Sequence, residues 1–265
     1  MDDGGDLLGI CKHLRRKLWI KLLPETHPFY EPVFDLLDSV GSSGGGSLSV
    51  DQTLVSAKDR QQVWNDIKRC EHLNPELLAD ELVKKRLQTL ILNFLATNSE
   101  STCYVQGMDS IAAVLFSEYF DKDYLVAPML KQVYQRYLRY FLNEKNHLSF
   151  SYSTLLVKRL LYFFEPELQG HFHEIGFTHN LLPLVSWVMT LFAHTVSLTG
   201  GGLTEIWTEL LCQPVEHIFF LAVAIFASLK HKLVLLDLNE TLIIINNIQG
   251  LIDIRSVIRH ARELR

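Results

Sequence analysis

The chain has 265 residues, of which 48% are apolar, and its formal net charge is -5. This apolar content is ample for a large hydrophobic core and argues against disorder. The negative charge argues against general nucleic-acid binding, because such a surface needs an excess of cations to neutralise phosphates. Any role with phosphate must therefore depend on a few well-placed cations.

Cysteine spacing and hydropathy predict a cytoplasmic protein with reduced thiols. The four cysteines lie far apart and include no CxxC pair, which argues against a disulfide framework and a cysteine zinc site: Cys11, Cys70, Cys103 and Cys212. The N-terminus lacks the apolar stretch of a signal peptide. The longest apolar runs, 181–193 and 218–229, are too short to cross a membrane and favour buried helices.

At the N-terminus we expect a flexible tail over residues 1–8 and a first helix over 9–23. Arg15 and Trp19 are four residues apart and so share one face of that helix. The guanidinium can lie over the indole or bind a carboxylate elsewhere, and the sequence leaves both possibilities open. A tract rich in Gly and Ser over 41–50 predicts a flexible insertion in a surface loop.

Hydrophobic periodicity of 3.6 residues predicts helices through most of the remaining chain. The clearest is expected over 78–96, with Leu82 on the apolar face and Lys84 facing water. Helices rich in aromatic residues are predicted over 129–142 and 152–164, with their aromatic stripes in the core. No strand pattern and no repeat of fixed period competes with this all-α prediction.

Later helix boundaries follow from proline, glycine and capping residues. Pro166 suits the first turn of a short helix, which Gly176 ends. Thr204 and Asp253 are predicted as N-caps of two later helices.

Asp66 and Arg69 are three residues apart on a predicted helix, and two interpretations compete. One is an exposed ion pair that adds a few tenths of a kcal/mol to stability. In the other, Asp66 restrains an arginine that acts on a phosphate group. An arginine suits that second role because its planar, permanently charged guanidinium binds two phosphate oxygens at once.

A second motif, Tyr104-Val105-Gln106-Gly107, lies just before the apolar run that begins at Met108. A glutamine amide carries both a donor and an acceptor, so Gln106 can hold a water molecule beside a phosphate. Gly107 lets another backbone approach closely. Alone, a glutamine before a helix more often bonds to the backbone, but together with Arg69 it suggests catalysis of phosphoryl transfer.

The sequence predicts no nucleotide or metal site of the chain's own. The phosphate-binding pattern GxxxxGK[ST] is absent, so Arg69 and Gln106 would act on a nucleotide held by another protein. His171, His173 and His179 lack the HExxH spacing of a zinc site, and GxSxG is absent. We therefore expect no metal ligand and no nucleophile elbow.

Three motifs together resemble the TBC-domain family. Val63-x-x-Asp66-x-x-Arg69 resembles its IxxDxxR signature, Tyr104-x-Gln106-Gly107 its YxQG signature, and Arg15-x-x-x-Trp19 its RxxxW element. The motifs occur in the family's order, and the resemblance covers roughly residue 9 to the C-terminus. The chain departs from the pattern at Cys70, where threonine is usual.

The resemblance implies a two-lobed, all-helical GTPase-activating domain. It predicts an N-terminal lobe of about 9–150 that carries both motifs and a C-terminal lobe of about 151–265. Arg69 would be an arginine finger and Gln106 a glutamine finger, with Asp66, Tyr104, Gly107, Arg15 and Trp19 in support.

The resemblance also implies a partner, a Rab-family GTPase in its GTP state that brings GTP and Mg²⁺. The protein would be cytoplasmic and reach endomembranes through that partner, without a membrane span and without nucleic acid. The alternative is a binding module that keeps the fold and docks a GTPase or complex subunit without catalysis. Retention of both fingers favours catalysis.

Overall fold

The computed structural model describes residues 11–23, 54–98, 104–139, 147–177 and 182–265. Within these ranges the chain forms helices joined by turns and contains no strand. The all-α prediction is confirmed. The tail predicted over 1–8 and the Gly/Ser loop predicted over 41–50 lie outside the described residues.

Besides α-helices, the described residues form two short 3-10 turns (Cys70–Leu73 and Phe120–Leu125) and one short π-helix (Tyr134–Leu138). In chain order they are α1 (Lys12–Leu22), α2 (Ala57–Ile67), α3 (Pro75–Leu78), α4 (Glu81–Thr97), α5 (Met108–Glu118), α6 (Val126–Val133), α7 (His147–Phe164), α8 (Pro166–Glu174), α9 (Leu182–Thr190), α10 (Gly202–Cys212), α11 (His217–Leu233), α12 (Leu238–Asn246) and α13 (Ile254–Leu264).

The described residues divide into two compact units, those of Ile10–Arg136 and those of Tyr137–Arg265. We call them the N-terminal unit and the C-terminal unit.

Helix α5 is the centre of the N-terminal unit. All eleven of its residues are buried, as expected for a helix that is apolar on nearly every face. Helices α2, α4 and α6 pack against it, and they contribute fully buried side chains such as Val63, Leu87 and Leu130. The turn that precedes α5 is thereby attached to the buried centre of this unit.

Aromatic side chains form the core of the C-terminal unit. Phe226 on α11 has its ring centroid 5.5 Å from that of Phe172 and 5.1 Å from that of Trp187. Phe177 and Phe192 extend the cluster. Helix α11 packs against α7, α8, α9 and α13, so this unit is organised around one apolar helix as well.

The predicted orientation is wrong for two residues of α4. Leu82 was expected in the core but is 74% exposed, because it lies on the face of α4 opposite to the buried Leu87 and Ile91. Lys84 was expected to face water but is buried, since its stem lies along the protein while its ammonium reaches Glu71 and Glu81 at the edge.

The aromatic stripe of α7 is also not the core stripe that was predicted. Tyr152 is 66% and Phe163 is 77% exposed, whereas Val157 and Leu161 on the opposite face are fully buried. Periodicity identified the helix correctly, but apolar residues occur on every face of α7, so the pattern did not indicate which face packs.

Several boundary predictions can be checked directly. Pro166 does begin α8, and Asp253 does cap α13 by accepting a hydrogen bond from the Arg255 amide. Thr204 is not a cap: α10 begins at Gly202, and the Thr204 hydroxyl donates to the Gly201 carbonyl. The helix predicted over 129–142 is wrong in its bounds: α6 covers Val126–Val133, and the short π-helix follows it.

Candidate functional site

Arg69 lies between two helical elements and projects outward. Helix α2 ends at Ile67, and the 3-10 turn begins at Cys70. The Arg69 amide donates to the Asp66 carbonyl at 2.9 Å, which fixes the backbone. Its side chain is 72% exposed, so the guanidinium is accessible to another molecule.

Gln106 lies in a tight turn directly before α5 and is exposed. Gly107 follows with a φ of 103°, a left-handed conformation that L side chains rarely adopt. The Met108 amide donates to the Val105 carbonyl at 3.1 Å and closes the turn. The sequence prediction that Gln106 precedes an apolar helix is confirmed.

Asp66 is buried and holds the two motifs together. Its Oδ2 accepts hydrogen bonds from the Gln62 amide and from the Tyr104 hydroxyl, both at 2.9 Å. Its Oδ1 has no hydrogen-bond partner, and Arg69 Nη1 lies 3.7 Å from this oxygen. An ordinary surface ion pair therefore does not describe Asp66, whose side chain is only 3% exposed.

Asp109 on α5 is a second buried carboxylate at this site. Its Oδ1 accepts from the Gly107 amide at 2.9 Å and from the Tyr104 hydroxyl at 3.1 Å. Its Oδ2 accepts from the Cys70 thiol and from the Ser110 hydroxyl, both at 3.2 Å. The Tyr104 hydroxyl thus makes a three-centre bond to both carboxylates of the site.

Asp109 was not among the residues predicted from the sequence. A signal was available, because an acid in the first turn of an otherwise apolar helix must either face water or have hydrogen-bond partners. The pattern could not name those partners, since Cys70 is 39 residues away in the chain.

The donors of this network keep their protons well above neutral pH. Burial, and then the charge of Asp109, raises the pKa of the Cys70 thiol. Burial and the charges of Asp109 and Asp66 likewise raise the pKa of the Tyr104 hydroxyl. Both groups are therefore neutral hydrogen-bond donors rather than nucleophiles.

Arg15 and Trp19 support the N-terminal unit at a different place. Arg15 donates from Nε and Nη2 to the buried Glu118 carboxylate, at 3.1 Å each, and Trp19 is fully buried. The sequence left two possibilities open for Arg15, and the structure shows the one in which its guanidinium binds a distant carboxylate. Glu118 ends α5 and Gln106 precedes it, so about 16 Å of helix separates Arg15's partner from the exposed site.

Most of the chain matches one protein family. The model of the Rab-GTPase-TBC domain matches residues 12–234. The chain belongs to this family. Helix α13 lies beyond the matched residues, whereas Arg69 and Gln106 lie within them.

The curated relatives of this TBC domain are considerably longer proteins. It is 27% identical over 217 residues to the "TBC domain-containing protein kinase-like protein" of Homo sapiens, covering 82% of this chain and 23% of that protein. The Dictyostelium discoideum protein of the same name is 25% identical over 186 residues, covering 70% of this chain and 18% of that protein. The chain therefore spans less than a quarter of these relatives.

Two solved structures share the fold of this TBC domain. One is the Chlamydomonas flagellar RabGAP TBC domain, with a TM-score of 0.75 and 15% identity, covering 96% of this chain and 81% of that chain. The other is the Ypt/Rab-GAP domain of Gyp1p, with a TM-score of 0.68 and 15% identity, covering 97% and 88%.

The other sequence candidates were three histidines, of which the structure describes two. His171 Nε2 lies 3.0 Å from the Leu236 carbonyl oxygen, His173 is exposed, and His179 lies outside the described residues. Across the described ranges, no group of three or more potential metal ligands occurs, and no helix is long and apolar enough to cross a membrane.

Proposed function

We propose that this TBC domain accelerates GTP hydrolysis on a Rab-family GTPase, with Arg69 as arginine finger and Gln106 as glutamine finger. One observation carries the proposal. Both side chains are exposed, and the segments that bear them are hydrogen-bonded to each other through Tyr104, whose hydroxyl contacts Asp66 and Asp109. Membership of the family adds independent support.

Arg69 supplies the positive charge that phosphoryl transfer requires. Negative charge develops on the oxygens around the transferring phosphoryl group, and a guanidinium placed there stabilises the transition state. Asp66 restrains the arginine's approach, because its buried carboxylate attracts the guanidinium from 3.7 Å without forming a hydrogen bond. This contact is weak enough for Arg69 to leave for a phosphate.

Gln106 orients the attacking water. Its amide accepts a hydrogen bond from the water through the carbonyl oxygen and donates to a neighbouring oxygen through the nitrogen. Gly107 presents this side chain at the tip of the turn, because only a residue without Cβ readily adopts its φ of 103°.

In this proposal the GTPase brings GTP and Mg²⁺, and the TBC domain has no nucleotide site of its own. The protein works in the cytoplasm and meets endomembranes where its Rab partner is attached. The curated relatives extend far beyond this chain, so any activity of their other parts lies outside the proposal.

The experiment is phosphate release from a panel of GTP-loaded Rabs, with the wild type, Arg69→Ala and Gln106→Ala. We expect at least one Rab to respond, and Arg69→Ala to lower the stimulated rate by about 10³-fold or more. Arg259→Ala and Gln61→Ala are matched controls, since both residues are exposed and neither belongs to the network. We expect these controls to keep the wild-type rate.

Two results would contradict the proposal in different ways. If the wild type binds a Rab but stimulates none of the panel, the chain is the non-catalytic binding module. If the wild type stimulates a Rab and Arg69→Ala is as fast as Arg259→Ala, the activity stands and the finger assignment fails.

A further inference from the structure

The residue directly after each proposed finger donates to the same carboxylate. Cys70 follows Arg69, and its thiol donates to Asp109 Oδ2 at 3.2 Å. Gly107 follows Gln106, and its amide donates to Asp109 Oδ1 at 2.9 Å. The buried Asp109 carboxylate thus accepts a hydrogen bond from the residue next to each of the two exposed side chains, Arg69 and Gln106.

Asp109 has its hydrogen-bonding capacity filled by these segments. Tyr104 shares Oδ1 and Ser110 shares Oδ2, so each oxygen accepts two hydrogen bonds. The residue is 3% exposed, and a carboxylate at that depth is unfavourable unless its acceptors are satisfied. An apolar residue would fill this position of α5 at a lower cost in desolvation, which points to a role beyond packing.

We propose that Asp109 is a positioning residue that fixes the geometry between the two fingers, and that Cys70 is the donor through which it holds the arginine segment. The proposal rests on the proposed function of Arg69 and Gln106. Catalysis by two separate groups depends on their being in place together, and small displacements cause large losses in rate. Loosening this bridge therefore lowers the maximal rate more than the affinity for the GTPase.

Substitutions of Cys70 separate the hydrogen bond from the packing. Cys70→Ser keeps a hydroxyl donor beside Asp109, whereas Cys70→Val keeps apolar volume and has no donor. In single-turnover GTP hydrolysis on a responsive Rab, we expect Cys70→Val to lower the maximal rate by about 10-fold, with half-saturation within about threefold of wild type. We expect Cys70→Ser to stay close to the wild-type rate.

A second measurement needs no GTPase. Amide hydrogen exchange reports on the Gly107 amide, which bonds to Asp109, and on the Arg69 amide, which bonds to Asp66. We expect Asp109→Ala to raise exchange at both amides by at least about 10-fold. If that variant does not fold, Asp109→Asn replaces it. Its oxygen can still accept from the Gly107 amide, but its amide nitrogen cannot accept from Cys70 and Ser110, so we then expect faster exchange at the Arg69 amide alone.

The outcomes distinguish this inference from the proposed function. Faster exchange at Gly107 alone would mean that Asp109 only stabilises its own turn, and the bridge would be overturned. Equal rates for Cys70→Val and Cys70→Ser would also overturn it. If the wild type stimulates no Rab, the proposed function fails, while exchange at Arg69 and Gly107 still decides whether Asp109 joins the two segments.

Discussion

At the scale of single residues, Gly107 connects backbone conformation to the exposed site. Its φ of 103° lies where an L side chain is strained whatever space surrounds it. Its amide also donates to Asp109, so a shift of this backbone disturbs the network and the direction of Gln106 together.

We expect Gly107→Ala to lower the free energy of unfolding by about 1 to 2 kcal/mol, because alanine resists this conformation. Urea unfolding measures the change. Gly170→Ala is the control: Gly170 is inside α8, with no atom within 4 Å of a Cβ placed there. That substitution should stabilise the protein by about 0.5 to 1 kcal/mol. Equal effects of the two substitutions would show that the strain at Gly107 is negligible.

At the scale of elements, α13 is joined to α10 by an ion pair between a partly exposed arginine and a buried glutamate. Arg262 donates to both oxygens of Glu209, at 3.0 Å and 2.6 Å. Glu209 is 2% exposed, and His217 Nε2 lies 3.1 Å from its Oε1. The buried carboxylate therefore depends on a helix that lies beyond the residues matched by the family model.

We expect Arg262→Met to lower the free energy of unfolding by about 2 to 3 kcal/mol, since it leaves the Glu209 carboxylate buried without its main partner. Chemical denaturation provides the measurement. Arg259→Met changes an exposed arginine on the same helix and should stay within about 0.5 kcal/mol of wild type. If Arg262→Met is no worse than this control, the contact between α13 and α10 contributes nothing to stability.

At the scale of the whole molecule, buried groups in the two units respond to opposite ends of the pH range. Burial alone would raise the pKa of Glu209, but His217 and Arg262 outweigh it and lower the pKa from 4.5 to about 2. Stabilisation from Glu209 is thus present above about pH 4.5 and is lost as the pH falls toward 2. In the N-terminal unit, burial raises the pKa of Cys70 above 9.0 and that of Tyr104 above 10.0.

We expect the free energy of unfolding to decline on both sides of a plateau. Above about pH 9 the unfolded chain releases protons that folded Cys70 and Tyr104 retain, so stability falls by up to about 1.4 kcal/mol per pH unit for each group. Urea unfolding from pH 3 to pH 10.5 tests this. Cys70→Ser should flatten only the alkaline decline and Glu209→Gln only the acid one. Variants with unchanged slopes would show that other groups control stability.

Part of this architecture could be predicted from local sequence. The helical period and the absence of alternation predicted an all-α chain, Pro166 and Asp253 marked helix starts, and Gln106 was located before an apolar helix. These features depend on interactions within a few residues, such as capping and backbone hydrogen bonding.

The pairings between distant segments could not be predicted in this way. Arg15 could have bound any carboxylate, and packing brings it to Glu118, 103 residues later. Lys84 was misassigned because a lysine at helical spacing looks solvated until its neighbours are known. Tertiary contacts determine such pairs because the free energy of a buried charge depends on which groups surround it.

By itself, the sequence determined the class of fold, the family resemblance and the two candidate finger residues, since each is recorded in residue type and spacing. Only the tertiary structure decided that Asp66 is buried, that Asp109 joins its network, and which face of α7 is exposed. The reason is physical: a helix can form from local interactions, whereas burial and long-range hydrogen bonds exist only once helices pack.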